Sequence, residues 1–157
     1  ETPQIVMEPL DLHQLAQESL ESLSGKASQK QIALHLKGGP AQIQGNRALL
    51  SSVIYNLCDN AITYNQPKGD VYVTIRQQAK DVVLEVQDTG IGIPKDEGER
   101  IFERFYRVDK SRSKKVGGTG LGLSIVKHAL KCHGATIQVD SQVGKGTRMT
   151  VTFPGEK

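Results

Sequence analysis

The sequence predicts an α/β domain, and three observations carry that expectation. Segments with apolar residues at helical spacing take turns along the chain with segments that alternate at period two. Two pairs of the alternating segments are joined by short turn signals, near Gln78–Asp81 and around Gly144-Lys145-Gly146, and read as hairpins. The chain has 157 residues, 37% hydrophobic but only 4% aromatic and without Trp, so one core must be built from Leu, Ile, Val and Ala.

Taken in order, residues 1–9 read as extended, broken by Pro3 and Pro9. Leu12, Leu15, Ala16, Leu20 and Leu23 mark a first helix with Asp11 as N-cap and Gly25 as a candidate end, although the pattern can run on through Lys26-Ala27. Ile32 to Leu36 alternates as a strand, Gly38-Gly39-Pro40 turns the chain, and Gln42-Ile43-Gln44 is a short second strand. Asn46 caps a long helix over 47–64, with Leu50, Ile54, Leu57 and Ala61 on one stripe and Asn56, Asn60 and Thr63 on another. Residues 65–69 end it. Val71, Val73, Ile75 and Val82, Leu84, Val86 form the first hairpin, with Asp88 at its strand end. Residues 99–105 read as helical and the basic, glycine-containing stretch 106–119 as a loop. A helix over 120–132 follows, with Leu121, Ile125, Val126 and Ala129 inward and His133-Gly134 ending it, and then the hairpin of Thr136–Asp140 and Arg148–Phe153.

Composition narrows the function. The formal net charge is a modest +3, but Arg104, Arg107, Lys110, Arg112, Lys114 and Lys115 crowd one segment. Such a segment suits a polyphosphate or a nucleic-acid backbone, and taken alone it is a solvated loop. The absence of aromatics interleaved with these cations counts against nucleic acid. Cys58 and Cys132 form no CxxC pair and read as buried free thiols, in keeping with a reducing, cytosolic setting. No apolar run is long enough to cross a membrane, and no signal-peptide pattern opens the chain. The start at Glu1, without Met, reads as an excised piece of a longer protein.

The chemistry concentrates in three motifs: Asn56-Leu57-Cys58-Asp59-Asn60-Ala61, then Asp88-Thr89-Gly90-Ile91-Gly92-Ile93-Pro94, then Gly117-Gly118-Thr119-Gly120-Leu121-Gly122-Leu123. Asn56 and Asn60, four residues apart, share a helix face, and their amide oxygens are hard ligands suited to Mg2+. A lone pair of this kind is usually two surface amides. Asp88 can accept a hydrogen bond from the exocyclic amine of adenine, or simply cap its own turn, or do both with its two oxygens. Gly90 and Gly92 would let backbone pass close to a base. Gly118, Gly120 and Gly122 lead into a helix whose first N–H groups suit phosphate. Their spacing is neither the dinucleotide fingerprint nor a P-loop, so a nucleotide must be held another way. Phe102 reads as a loop anchor, Phe105 and Tyr106 as residues that help position the loop, and Arg107 or Lys110 as cations able to reach phosphate oxygens. None of His13, His35, His128 and His133 has a neighbouring carboxylate that points to general-base work, and each is read as satisfied or solvent-facing.

On these motifs and their order, the chain resembles the ATP-binding catalytic domain of bacterial two-component sensor histidine kinases, of the GHKL ATPase superfamily, over roughly residues 41–155. Asn56–Asn60 resembles the N box, Asp88–Gly92 the G1 box, Ile101–Arg107 the F box and Gly118–Gly122 the G2 box. The run from Phe102 to Lys127 is most similar to phosphate-regulon and cell-wall sensors. The resemblance implies a two-layer α/β sandwich, with a mixed, mainly antiparallel sheet on three helices. It implies Mg-ATP as ligand, with Asn60 binding Mg2+ and Asn56 assisting. Tyr64 would lie near the nucleotide, Asp88 would bind the adenine amine, and Gly90, Gly92 and Ile93 would line the base. Arg107 and Lys110 would approach the phosphates, and Gly118, Thr119, Gly120, Leu121 and Gly122 would form the end of a lid. Catalytic roles fall to Asn56, Asn60 and Arg107. Residues 1–10 would follow the dimerization helices and 11–157 would be the catalytic domain. The family often has Lys or Arg three residues after the second Asn, where this chain has Thr63, so Arg107 or Lys110 is expected to supply that contact.

Relatives that hydrolyse ATP place Glu where this chain has Asn56, and an amide cannot accept the proton of an attacking water. The implied reaction is transfer of the γ-phosphoryl group to a histidine. No histidine here has the acceptor context, so the acceptor belongs to a partner dimerization domain, with a response regulator as the indirect partner. The isolated domain is expected to be a monomer and the whole kinase a membrane-anchored homodimer with this domain in the cytoplasm. The rival readings are a nucleotide-sensing or docking module that keeps the fold without transfer, and a nucleic-acid binder.

Overall fold

The computed structural model describes residues 5–92 and 122–155. Among them, strand β1 (Glu8–Asp11) leads into helix α1 (Leu12–Gln29), followed by β2 (Ala33–Gly38), β3 (Gln42–Gly45), helix α2 (Arg47–Thr63), β4 (Asp70–Gln78), β5 (Asp81–Asp88), helix α3 (Gly122–Cys132), β6 (Thr136–Gln142) and β7 (Gly146–Phe153). The main sheet has the order β2-β4-β5-β7-β6, and β1 and β3 form a separate two-stranded ribbon. β2 runs parallel to β4 and every other neighbour in the sheet is antiparallel. Both hairpins expected from the sequence are present.

Period two explains how the sheet meets the helices. Val73, Val86 and Met149 stand in one cross-strand row with Val139, and Ile75, Leu84 and Val151 in the next with Ile137. These rows join one core with Leu12, Leu15, Leu23, Leu50, Ile54, Leu57, Val126 and Leu130 from the three helices. Tyr72, Arg76, Glu85 and Arg148 fall on the opposite face, where Glu85 receives Arg76 at 3.6 Å and Arg148 at 3.8 Å. The molecule is therefore a two-layer α/β sandwich with α2 packed between α1 and α3.

The caps follow the sequence closely. Asp11 accepts the N–H of His13, and Asn46 accepts that of Leu49. Two details differ. Helix α1 does not stop at Gly25 but continues to Gln29, where Gln31 takes a left-handed φ of 58° and Ile32 N–H returns to Ala27 O at 2.9 Å. In α3, Val126, Ala129 and Leu130 are buried while Ile125 is exposed, so the inward stripe is shifted. Cys58 is buried as expected, and Cys132 is half-buried.

Candidate functional site at the polar face of α2

At about 100° per residue, Asn56, Asp59 and Asn60 share the face of α2 opposite its buried stripe of Leu50, Ile54, Leu57 and Ala61, with Thr63, itself buried, between Asp59 and Asn56. Asn56 Nδ2 donates to Ser52 O at 2.7 Å and to Ser52 Oγ at 3.1 Å. The amide nitrogen is thus turned back along the helix, and Oδ1 accepts no hydrogen bond from the described residues. Asn60 is half-buried, with no side-chain hydrogen bond among the described residues. This donor set, two neutral oxygens on adjacent turns, fits a hard cation that keeps waters and phosphate oxygens as its remaining ligands.

Asp88 lies where β5 runs out beneath the end of α2. Val82, Leu84 and Val86 point to the helix layer, and the same alternation sends Asp88 there, opposite Val71 in the register. Its Oδ1 accepts the N–H of Gly90 at 2.8 Å and of Thr147 at 3.2 Å, and Oδ2 accepts nothing from the described residues. Burial pushes the carboxyl up to about 6, and the two backbone hydrogen bonds hold it lower than burial alone would. One oxygen therefore caps the turn, and the other remains for a donor. Both readings made from the sequence are compatible with this geometry.

The loop after Asp88 is tied to the end of α2. Ile91 N–H donates to Tyr64 O at 3.1 Å, and Gly144 N–H donates to Ile91 O at 2.8 Å. A side chain at Gly90 would run into Tyr64 O and the Cα of Asn65, and Gly92 combines a φ of 76° with the backbone of Gln142 against it. Here the glycines are demanded by backbone packing whether or not a base is bound. Asn65, read from the sequence only as a helix end, is buried and central: Nδ2 donates to Asp70 O at 2.9 Å, while Oδ1 accepts Gln66 N–H at 2.8 Å and Thr89 Oγ1–H at 3.3 Å. Thr89 Oγ1 in turn accepts Asp70 N–H at 2.9 Å. Thr89 and Thr147 escaped sequence reasoning because they act through partners 19 to 59 residues away, and Asn65 because a residue just past a helix end reads as a turn.

The site therefore brings together Asn56, Asn60, Tyr64, Asp88, Gly90 and Gly92. Ile93, Arg107, Lys110, Gly118, Thr119, Gly120 and Leu121 lie outside the described residues. Gly122 opens α3. A separate groove of about 440 Å³ between α1 and α2 is lined by Glu18, Ser19, Ser22, Ser51, Ser52 and Tyr55 among others, with no basic side chain, and is unsuited to phosphate. His133 is satisfied, accepting Asn46 N–H at Nε2 and facing Ala129 O with Nδ1. His35, by contrast, does have a carboxylate partner, Asp70 at 3.0 Å, on the outer face of the sheet, where it stacks on Tyr72.

Known proteins resemble this chain in sequence and in fold. Residues 45–157 match the family model described as histidine kinase-, DNA gyrase B-, and HSP90-like ATPase. Over 149 residues the chain is 38% identical to the sensor-like histidine kinase SenX3 of Mycolicibacterium smegmatis, covering 94% of this chain and 39% of that protein. The solved mycobacterial sensor histidine kinase MprB superposes with a TM-score of 0.84 at 32% identity, covering 96% of this chain and 99% of that one. Full-length ShkA, solved in complex with AMPPNP, gives 0.85 at 26% identity, covering 100% of this chain and 33% of that one. The chain thus spans about two fifths of the SenX3 it matches.

Proposed function

Since the chain belongs to the family of histidine kinase-, DNA gyrase B- and HSP90-like ATPases, we propose that it is the catalytic domain of a two-component sensor histidine kinase, binding Mg-ATP and passing the γ-phosphoryl group to a histidine carried on another domain. The observation that carries this reading is Asn56. Its amide nitrogen is held by Ser52 and its Oδ1 is left for another partner, and an amide oxygen coordinates a cation but does not take a proton from water. That favours transfer to a ready nucleophile over hydrolysis.

In this reading Asp88 Oδ2 accepts the adenine amine, while Gly90, Gly92 and Ile93 let backbone lie along the base and Tyr64 flanks it. Asn60 and Asn56 hold Mg2+, which when bound neutralises charge on the phosphate oxygens. Arg107 and Lys110 approach the phosphates, and residues 118–122 close over them, the N–H groups at the start of α3 facing the anion. The chain's own contribution is alignment of the γ-phosphoryl group and charge complement, which is most of what phosphoryl transfer asks of a protein. Residues 11–157 would form this domain and 1–10 the connection to the dimerization helices. The partners would be the acceptor-histidine domain of its own kinase and, through it, a response regulator. The domain by itself would be monomeric and the kinase a membrane-anchored dimer facing the cytoplasm. Among the described residues no helix is long and apolar enough to cross a membrane.

Incubation with γ-labelled ATP tests the proposal. The domain alone is expected to acquire no phosphohistidine, and the acceptor-histidine domain of its kinase, supplied in trans, is expected to become labelled. Strong self-labelling, or steady release of phosphate without acceptor, would contradict it.

A further inference from the structure

The polar face of α2 is not built from α2 alone. Lys26, on the last turns of α1, crosses to it: its Nζ donates to Asp59 Oδ1 at 2.5 Å and to Thr63 Oγ1 at 2.6 Å. Thr63 is buried, and the Lys26 and Asp59 side chains are 39% and 32% exposed. In angle about α2, Thr63 falls between Asp59 and the two amides, so the ammonium stands at the edge of the face that presents Asn56 and Asn60. It is solvent-reachable there and anchored from a second helix. Thr63 itself is too short and too buried to carry a charge to that face.

We propose that Lys26 is a phosphate-binding residue, an ammonium lent by α1 to the polyphosphate of a nucleotide seated on Asn56 and Asn60. The inference rests on the nucleotide reading given above and revises the expectation that Arg107 or Lys110 must make up for Thr63. Asp59 holds the ammonium in place when no phosphate is near and competes with phosphate for it. Lys is suited to this exchange, because its three donors on a flexible stem allow Thr63 to be kept while one donor turns to a new acceptor. A simple helix-to-helix tie is the alternative, although pairs this exposed contribute little to stability.

The experiment is a comparison of ATP and adenosine affinities, both with Mg2+, for the unaltered chain, Lys26→Met, and Lys26→Met with Thr63→Lys. Lys26→Met is expected to weaken ATP about tenfold, as loss of one charged hydrogen bond implies, and to leave adenosine unchanged. The added Thr63→Lys is expected to recover most of the loss, and Asp59→Asn alone to tighten ATP. Equal loss for ATP and adenosine, or no loss for either, would overturn the role of Lys26 while leaving the nucleotide site standing. If the unaltered chain binds neither ligand, the functional reading falls first and this inference with it.

Discussion

Asp88 is the residue in which fold and function conflict. Its folded value of about 6 exceeds the ordinary carboxylate value because burial disfavours the charge. The folded state therefore holds the proton more tightly than the unfolded chain does, and between about pH 4 and 6 stability falls as pH rises. Above pH 6 the ionised group costs the fold on the order of 1–3 kcal/mol. Asp88→Asn keeps an oxygen for Gly90 and Thr147 N–H but turns an amide donor toward the ligand. It is expected to raise stability by about that amount at pH 7.5, with the gain vanishing near pH 4, and to lower ATP affinity at least about tenfold. Urea unfolding across pH, paired with nucleotide titration, checks both halves. A variant that lost stability at neutral pH and still bound ATP normally would refute this account of the residue. The position was legible in the sequence, because Val82, Leu84, Val86 and Asp88 share one period-two face. Thr147, its second donor, was not, because a backbone N–H 59 residues away leaves no mark on side-chain pattern.

At the scale of elements, the end of α1 organises the end of α2. Lys30 Nζ donates to the carbonyls of Ile62, Thr63 and Asn65 at 3.1, 2.9 and 2.8 Å, satisfying acceptors that a helix terminus leaves without partners. Lys30→Met should keep the stem's packing and remove those bonds. It is expected to cost about 1.5–3 kcal/mol, read as a lower urea midpoint, and to increase amide exchange at Tyr64 and Ile91, whose backbones are joined. A loss of stability without added exchange at those amides would separate the cap from the site. Helix spacing, the caps Asp11 and Asn46 and both hairpins were readable because each depends on residues close in sequence. The sequence leaves the end of α1 open between Gly25 and a run through Lys26-Ala27; the helix takes the longer course to Gln29, and Gln31 adopts the left-handed turn. In α3 the expected inward Ile125 is exposed and Leu130 takes its place, a shift of the stripe that depends on what α2 and β6 present to it.

For the whole molecule, the two-layer arrangement and the shared helix face of Asn56 and Asn60 were within reach of the sequence, because both follow from periodicity. The way the layers cooperate was not. That Lys26 leans onto Asp59, that Asn65 holds Asp70 and Thr89, and that His35 pairs with Asp70 are contacts between residues 5 to 35 positions apart. The sum is a sheet whose β5 end offers an acceptor at Asp88 and a helix layer that presents the amides of Asn56 and Asn60, with the loop after Asp88 joined by hydrogen bonds to the end of α2. The central claim is that these belong to one Mg-ATP site. Calorimetric titration of ATP into the unaltered chain tests it most directly, run with Mg2+, with the metal chelated, and with a single-stranded oligonucleotide in place of ATP. Saturable one-to-one binding that weakens on chelation and on Asn60→Ala, with no response to the oligonucleotide, is the predicted result. ATP binding indifferent to both Mg2+ and Asn60, or tight oligonucleotide binding in its place, would contradict it.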